Sequence, residues 1–560
     1  MTQTDPARRP GRRGPGGPSG ARAPGTSEAT RLLCAGAYLD GSFRDAVIDE
    51  LYVHEERIAA PSLGIDAARV LAHALRARRL ELGWSAGIVL LWVVAVPLTQ
   101  WLILIYLPAF ALFTLAGWIR GPLERPPLAR RFVAWYVRWG GWGFYGWALV
   151  FLLEPALRGG AAELPADLAR TSGDARIQAW CALVLPLLLA WAVAMQRGQF
   201  AKSLTEELSR SRFPTLTADP AEAAEGVRFQ RLSRRILAEQ HAPLILYRVA
   251  NPFCGAGRPY EPWSLSVELR PREGREPEPL DNSAILRRIV PLLEALRVPS
   301  PHGSPELADA VRDRLRELEL DEIVFLPVVG LPARADAPYT PGAFEEHRAH
   351  AIEEGGETRR HFLRIRVGGW GEEIVTTVFV RVHTQGGMLM LEVAPHVLRP
   401  VRQLYQDADR AAHRYRHNNR FGKAAWAMGH TPAAAGRAVL TLWRGAVSLW
   451  RLATGGHGRA LPEGPVRAVR ELGSDNDASL FQEMDVSRYL KSIQDRVANG
   501  VRLALQEAGW ETDEFVQKIV NVAEGATFIE TARGAIAIGN RNTVVSRTGR
   551  GRTGDGRGDG

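Results

Sequence analysis

The chain has 560 residues, 46 % of them apolar, and 70 Lys and Arg against 61 Asp and Glu for a net charge of +9. That is room for several domains, and the apolar content is too ordinary for membrane helix throughout. The arginines are spread along the chain beside Asp and Glu instead of forming one patch, so the positive balance does not indicate nucleic acid. Only Lys202, Lys423, Lys491 and Lys518 are lysines, and this arginine bias points to GC-rich coding.

Residues 1–30 are Pro, Gly, Arg and Ser, and they read as a disordered basic tail. The pairs Arg8-Arg9 and Arg12-Arg13 have no apolar run behind them, so a signal peptide is not expected. Residues 31–82 read as a small cytoplasmic helical preface. Apolar residues recur at helical spacing over 35–52 and 66–82, and Ala60-Pro61-Ser62 breaks the two apart.

Between Glu81 and Arg120 there is no charged residue. Every face of a helix drawn through this stretch is apolar, as a membrane span requires. As one helix it would extend roughly 57 Å, against about 30 Å of hydrocarbon. A hairpin over 84–118, turning at Pro97, Thr99 and Gln100, is therefore expected. Two further spans are expected over about 139–156 and 177–196, completing a transmembrane block over 83–197. Ten of the 16 tryptophans fall in this block, several near span ends, as in an aromatic belt. The segments before 84, at 120–138 and after 196 are arginine-rich, whereas 157–176 balances its arginines with Glu163, Asp167 and Asp174. By the positive-inside rule this predicts four crossings, with both termini on the cytoplasmic side of a bacterial plasma membrane; three crossings, with 84–118 as one long tilted helix, is the alternative.

Residues 214–225 read as a Pro/Ala/Glu linker, and 214–400 as a cytoplasmic α+β domain with an antiparallel sheet. Strands are expected at 244–249, 263–269, 323–328 and 361–367. A hairpin is expected to pair 374–382 with 388–393 around His-Thr-Gln-Gly-Gly. Helices are expected at 283–297 and 305–318. Residues 401–525 read as helical, with one helix over 487–508 stopped by Gly509 and another opening at Thr512-Asp-Glu. The end, 526–560, combines a short β-prone segment with a disordered tail. Within it, 534–545 is similar to amyloid-signalling motifs of the Ile-Gln-Ile-Gly kind, but Ala537 stands where the glutamine of the ladder belongs.

Chemistry-bearing patterns are few. Cys34, Cys181 and Cys254 stand alone, with no CxxC and no Cys/His ligand spacing, so neither a disulfide framework nor a zinc site is predicted. No cofactor is implied. His347 and His350 read as a solvated helix face, not as a metal pair. In Asn251-Pro-Phe-Cys-Gly-Ala-Gly257, the backbone at Gly255 and Gly257 offers N–H groups to an anion, making Asn251, Gly255 and Gly257 a candidate ligand loop. The alternative is a loop whose glycines supply positive φ. Over 435–452, Arg437, Arg444 and Arg451 recur every seven residues, and Trp443 and Trp450 do likewise. On a helix this is a candidate membrane-interface face, its partner the anionic headgroups of the bilayer; a core helix of the soluble region is the alternative.

Several strings resemble an uncharacterised family of actinobacterial, Streptomyces-like multipass membrane proteins. They are Ala35-Gly-Ala-Tyr-Leu-Asp40, Phe43-Arg-Asp with Ile48-Asp-Glu-Leu-Tyr52, 72–81, 251–257 with the Trp-Ser strand behind it, and Phe481-Gln-Glu-Met-Asp-Val-Ser-Arg-Tyr489. The resemblance implies a topology and no activity. The function expected is a plasma-membrane protein anchoring a cytoplasmic binding or scaffold domain, without identifiable catalysis and with a protein partner on that side. A transporter or channel component, or a membrane-tethered enzyme with a ligand loop near 251–263, are the alternatives.

Overall fold

The computed structural model describes residues 24–62, 64–121, 127–158, 175–215, 219–297, 315, 317–353, 356, 358–368, 374–431, 433–455, 460–475 and 477–523. The expected helix over 305–318 and the β-prone tail fall almost wholly outside these residues. Ser27 caps α1 (Glu28–Leu39) by accepting the Thr30 N–H, and Asp40 does the same for α2 (Gly41–Ile48) through Ser42 and Phe43. Asp66 caps α3 (Ala67–Leu98), which runs unbroken for 32 residues from the preface into the apolar stretch.

Pro97 sits in the last turn of α3. Gln100 and Trp101 then take left-handed φ values of 46° and 71°, reversing the chain. A short 3₁₀ segment leads into α4 (Leu107–Arg120), so 84–118 is a helical hairpin. The block continues with α5 (Leu128–Arg158) and α6 (Ala175–Glu206). Helix α5 begins well inside the expected basic loop, carrying Arg130, Arg131 and Arg138 within it. Three described helical stretches, 67–98, 102–120 and 176–206, are long and apolar enough to cross a membrane by length and composition. Helix α5, diluted by glycine, Trp and Tyr, is not among them. It packs between α4 and α6. Gly141 of α5 faces the Phe113 ring, and Phe113 meets Trp142 edge-on at 5.3 Å. Small residues permit this close approach of helix backbones.

The segment expected to be a linker is anchored. Phe213 and Ala221 are buried, and Asp219 caps the short α7 (Pro220–Ala223). Helix α8 (Val227–Gln240) follows. Phe200, Leu204, Phe213, Phe229 and Ile236 share one core with α1–α3, so the preface and the segment after the block fold together.

The sheet has seven strands in the order β1–β4–β5–β6–β7–β2, with β3 also on β7. They are β1 (Leu244–Tyr247), β2 (Arg258–Pro259), β3 (Trp263–Glu268), β4 (Glu319–Pro327), β5 (Arg360–Gly368), β6 (Val375–Gln385) and β7 (Met388–Leu398). The β6–β7 hairpin turns on Gly386 and Gly387, both at positive φ, as a two-residue turn between right-twisted strands requires. The sheet is not purely antiparallel as expected. Strand β1 pairs β4 in parallel, Leu244 beside Val324, because the chain between them crosses to the far end of the sheet as β2 and β3 and returns through α9 (Asn282–Glu294).

Alternation splits the sheet into two faces. Leu363, Ile365, Val378, Val380, Leu389 and Leu391 face α9 and α16 (Leu480–Glu507). The second face carries Phe325, Phe362, Phe379, Arg364, Arg366 and Arg381. Its arginines are paired across strands, Arg364 to Asp321 at 3.1 Å and Arg366 to Glu319 at 2.9 Å. Helix α10 (Pro341–Glu353) lies beside β4 and β5.

After β7 come α11 (Gln403–Gln406), α12 (Ala408–His417), α13 (Arg420–His430) and α14 (Ala434–Thr454), then α15 (Val469–Leu472), α16 and α17 (Asp513–Ala523). Helix α16 opens earlier than its apolar pattern suggests, on a capping box between Ser479 and Gln482.

Candidate functional site

The 251–257 loop closes over the second sheet face. Phe253 drops into an aromatic cluster, its ring centroid 4.7 Å from both Phe379 and His396 and 5.3 Å from Phe325. This plants the loop and orients its glycines. Gly255 and Gly257 have φ of +102° and +96°. A Cβ at Gly255 would overlap the Pro61 carbonyl oxygen, and one at Gly257 the Val397 carbonyl oxygen. Both positions therefore need glycine for conformation and for space.

The anion held by this loop belongs to the chain itself. Glu471 Oε1 accepts the Gly255 N–H at 2.8 Å and the Gly257 N–H at 2.9 Å. Two convergent backbone donors form a nest for negative charge, and the α15 carboxylate fills it. Burial pushes the Glu471 carboxyl up, outweighing the two N–H bonds that favour its ionised form. Asn251 is exposed at the loop edge and takes no part; its N–H returns to Arg248. Cys254 lies buried behind the loop, where burial raises its thiol and keeps it unreactive. Beneath the loop is a small cavity of about 50 Å³, with Arg364, Arg366, Thr377 and Arg470 in its walls.

A second polar cluster locks the preface. Asp219 accepts from Arg69 at 2.7 Å, His73 at 3.0 Å and the Ala221 N–H at 2.8 Å, and His73 bonds Tyr38 at 3.1 Å on its other nitrogen. His73 is 1 % exposed. Burial alone would raise the Asp219 carboxyl; His73 and Arg69 outweigh it and hold the group well below the usual carboxylate range. Tyr38, Arg69, His73 and Asp219 are all buried, so the cluster fastens α3 to α7. Asp-Pro at a helix start is a legible capping signal, but no local pattern shows that Asp219 answers His73.

Glu50, likewise buried, accepts from Arg57 at 2.9 Å and from the N–H groups of Val466 and Arg467 at 2.9 and 3.2 Å. Arg31 meets Asp409 at 2.9 Å and Arg402 meets Asp40 at 2.7 Å. Tyr405, Ala408 and Ala412 join the preface core. The preface and the helical region after the sheet are thus one packed body.

Helix α14 carries the expected interface residues. It runs antiparallel to α3: Gly445 abuts Leu82, and Arg78 bonds the Arg444 carbonyl at 3.2 Å and Ser448 at 2.9 Å. Near its start it also touches α4 at Thr114, and Ala434 and Ala438 enter the core of the apolar block with Ile88, Phe110 and Leu189. Helices α12 and α13 pack against α6, with Tyr415 donating to the Ala194 carbonyl at 2.9 Å. Trp443 and Trp450 point outward, 67 % and 69 % exposed, with Val439, Leu440 and Leu449 exposed beside them. A core helix would bury these rings. The arginine stripe lies between the packed face and this apolar face. Arg444 and Arg451 stand 3.9 and 3.8 Å from Asp45 and Asp49 of the preface, while Arg437 bonds the carbonyls of Ala433 before its own helix and of His430 at the end of α13. Among the described residues, no group of three or more His, Cys, Asp and Glu gathers as metal ligands. His350 bonds the Glu346 carbonyl, and His347 contacts Arg359.

A family model described as the AbeC-like domain matches residues 262–542. No curated protein and no solved structure matches the chain. The match takes in β3–β7 and all helices from α9 onward. Of the resembling strings, 481–489 and the Trp-Ser strand lie inside it, and the earlier strings lie outside.

Proposed function

The chain belongs to the AbeC-like domain family, and we propose that it is a multipass membrane protein of actinobacterial type that anchors this domain at the cytoplasmic face for binding or scaffolding. One observation carries the reading. Helix α14, within the family match, inserts Ala434 and Ala438 into the apolar block, while Phe421 and Met428 of α13 and Trp443 and Trp450 of α14 remain exposed beside it. The block's own outward residues, among them Leu90, Trp118, Phe132, Trp139, Val150 and Leu187, are also exposed. Apolar area on this scale needs a covering phase, and lipid covers both surfaces at once. In this reading the domain is seated on the bilayer by its own helices as well as tethered by the chain.

The arginines at 76–79, 130–138 and 437–451 then lie at the level of anionic headgroups. The three helices that suffice by composition are joined by α5 as a fourth crossing, packed on α4 and α6 and turning Phe132, Trp139 and Val150 outward to the lipid. The soluble side offers Leu480, Phe481 and Met484 at the start of α16, 61–71 % exposed, as the apolar surface a protein partner needs. Alkaline carbonate washing of membranes from cells expressing the full chain tests the anchor. Retention in the pellet supports the reading; release into the supernatant overturns it.

A further inference from the structure

A polar cavity of about 360 Å³ opens where the preface, α3, α6, α13 and α14 meet. This is the size of a small-molecule site. The charged groups lining it are three guanidinium groups, Arg44, Arg197 and Arg437, and one carboxylate, Glu81. That carboxylate is committed: Arg44, only 4 % exposed, donates to it. Arg197 has no carboxylate within 4 Å among the described residues; its guanidinium lies over the rings of Trp426 and Tyr415, at 5.6 and 6.0 Å. Arg437 spends two donors on the carbonyls of Ala433 and His430 and likewise meets no carboxylate among the described residues. Three guanidinium groups against one carboxylate leave the cavity with excess positive charge: Arg197 is half-buried, Arg437 is exposed, and Glu81 attracts Arg437 only from a distance, so an anion between the two arginines is favoured.

The other wall is apolar. Ile88, Val193, Ala434 and Ala438 line the cavity and belong to the core of the block. A ligand that satisfies both walls carries a phosphate at one end and hydrocarbon at the other. We propose that this cavity binds the phosphate of a glycerophospholipid, seated between α6 and α14 with its chains directed into the bilayer. The inference rests on the membrane reading above and adds to it a defined site, distinct from the exposed face of α14.

The test uses the full chain in nanodiscs containing phosphatidylglycerol, followed by native mass spectrometry. The wild-type protein should retain the lipid, and glycerol 3-phosphate in excess should not displace it. Arg197→Gln and Arg437→Gln should each weaken retention roughly tenfold, the loss of one charge-assisted hydrogen bond. Arg410→Gln, on the exposed side of α12, should leave it unchanged. Equal retention by all variants at equal melting temperature would overturn the site. Displacement by glycerol 3-phosphate would keep the phosphate site and overturn the lipid as its source. If the variants do not fold, a photoactivatable phosphatidylglycerol on the wild-type chain decides. Labelling of peptides carrying Arg197 and Arg437 supports the site, and labelling confined to other surfaces overturns it. Carbonate retention of the same protein separates failure of this site from failure of the membrane reading.

Discussion

Replacing Glu471 separates the shape of the 251–257 nest from its charge. In Glu471→Ala the N–H groups of Gly255 and Gly257 lose their shared acceptor at 2.8 and 2.9 Å. Each unsatisfied, part-buried donor costs about 1–2 kcal/mol, so the loop should open more easily by roughly 2–4 kcal/mol. Glu471→Gln keeps an oxygen in the same place. Because burial raises the Glu471 carboxyl, its stabilising contribution is fully present below the unfolded value and falls away as pH rises through the folded one. An uncharged isostere should therefore hold the loop at neutral pH within about 1 kcal/mol of the wild type. Amide hydrogen exchange of the 252–258 peptide in the full chain is the assay. Where exchange reports the opening equilibrium, Ala should accelerate it by roughly 30- to 800-fold and Gln by less than about tenfold. Unchanged exchange in Glu471→Ala would refute the assignment of Glu471 as the loop's internal acceptor. Equal acceleration in both variants would show that the charge itself closes the loop.

Gly257→Val must adopt a φ of +96° and meets the Val397 carbonyl; it should lower stability by at least about 1–3 kcal/mol, read as a drop in melting temperature. Asp219→Ala leaves Arg69 and His73 buried without their anion and should cost about 3–5 kcal/mol, seen as faster exchange in 67–75 and 213–223. Because the Asp219 carboxyl is depressed in the fold, its contribution is present above about pH 4 and fades as pH falls; a flat acid limb in exchange of those peptides would contradict it. Glu322 is held down to about 2, first by the hydrogen bond from His361 and then, against burial, by Arg348. The packing of α10 on the sheet should therefore weaken as pH falls from about 4.5 towards 2, and Glu322→Gln should flatten that dependence in exchange of 341–353.

The parts legible in the sequence are those written in local pattern. Period-two alternation and Gly386-Gly387 locate the β6–β7 hairpin, and Pro97 with the uncharged run locates the α3–α4 reversal. The seven-residue spacing of Arg437, Arg444 and Arg451 marks α14 as one helix with two unlike faces. Pairings across long separations are silent in such patterns. Glu471 lies more than 200 residues from the glycines it bonds, and Asp219 is 146 residues from His73. The parallel β1–β4 pair escapes for the same reason: its register is set across β2, β3 and α9, not by a turn. Composition also misleads at 214–225, where Pro, Ala and Glu suggest a linker. The burial of Ala221 and of Asp219, which answers Arg69 and His73, ties that segment to the core.

The proposed topology is a four-crossing block with the AbeC-like domain on the cytoplasmic side. Reporter fusions to the full chain test it most directly, placed after residues 30, 127, 205 and 560 and near 166. Cytoplasmic signals are expected at the first four sites and an external signal near 166. A cytoplasmic signal near 166, or an external one at 560, would contradict it.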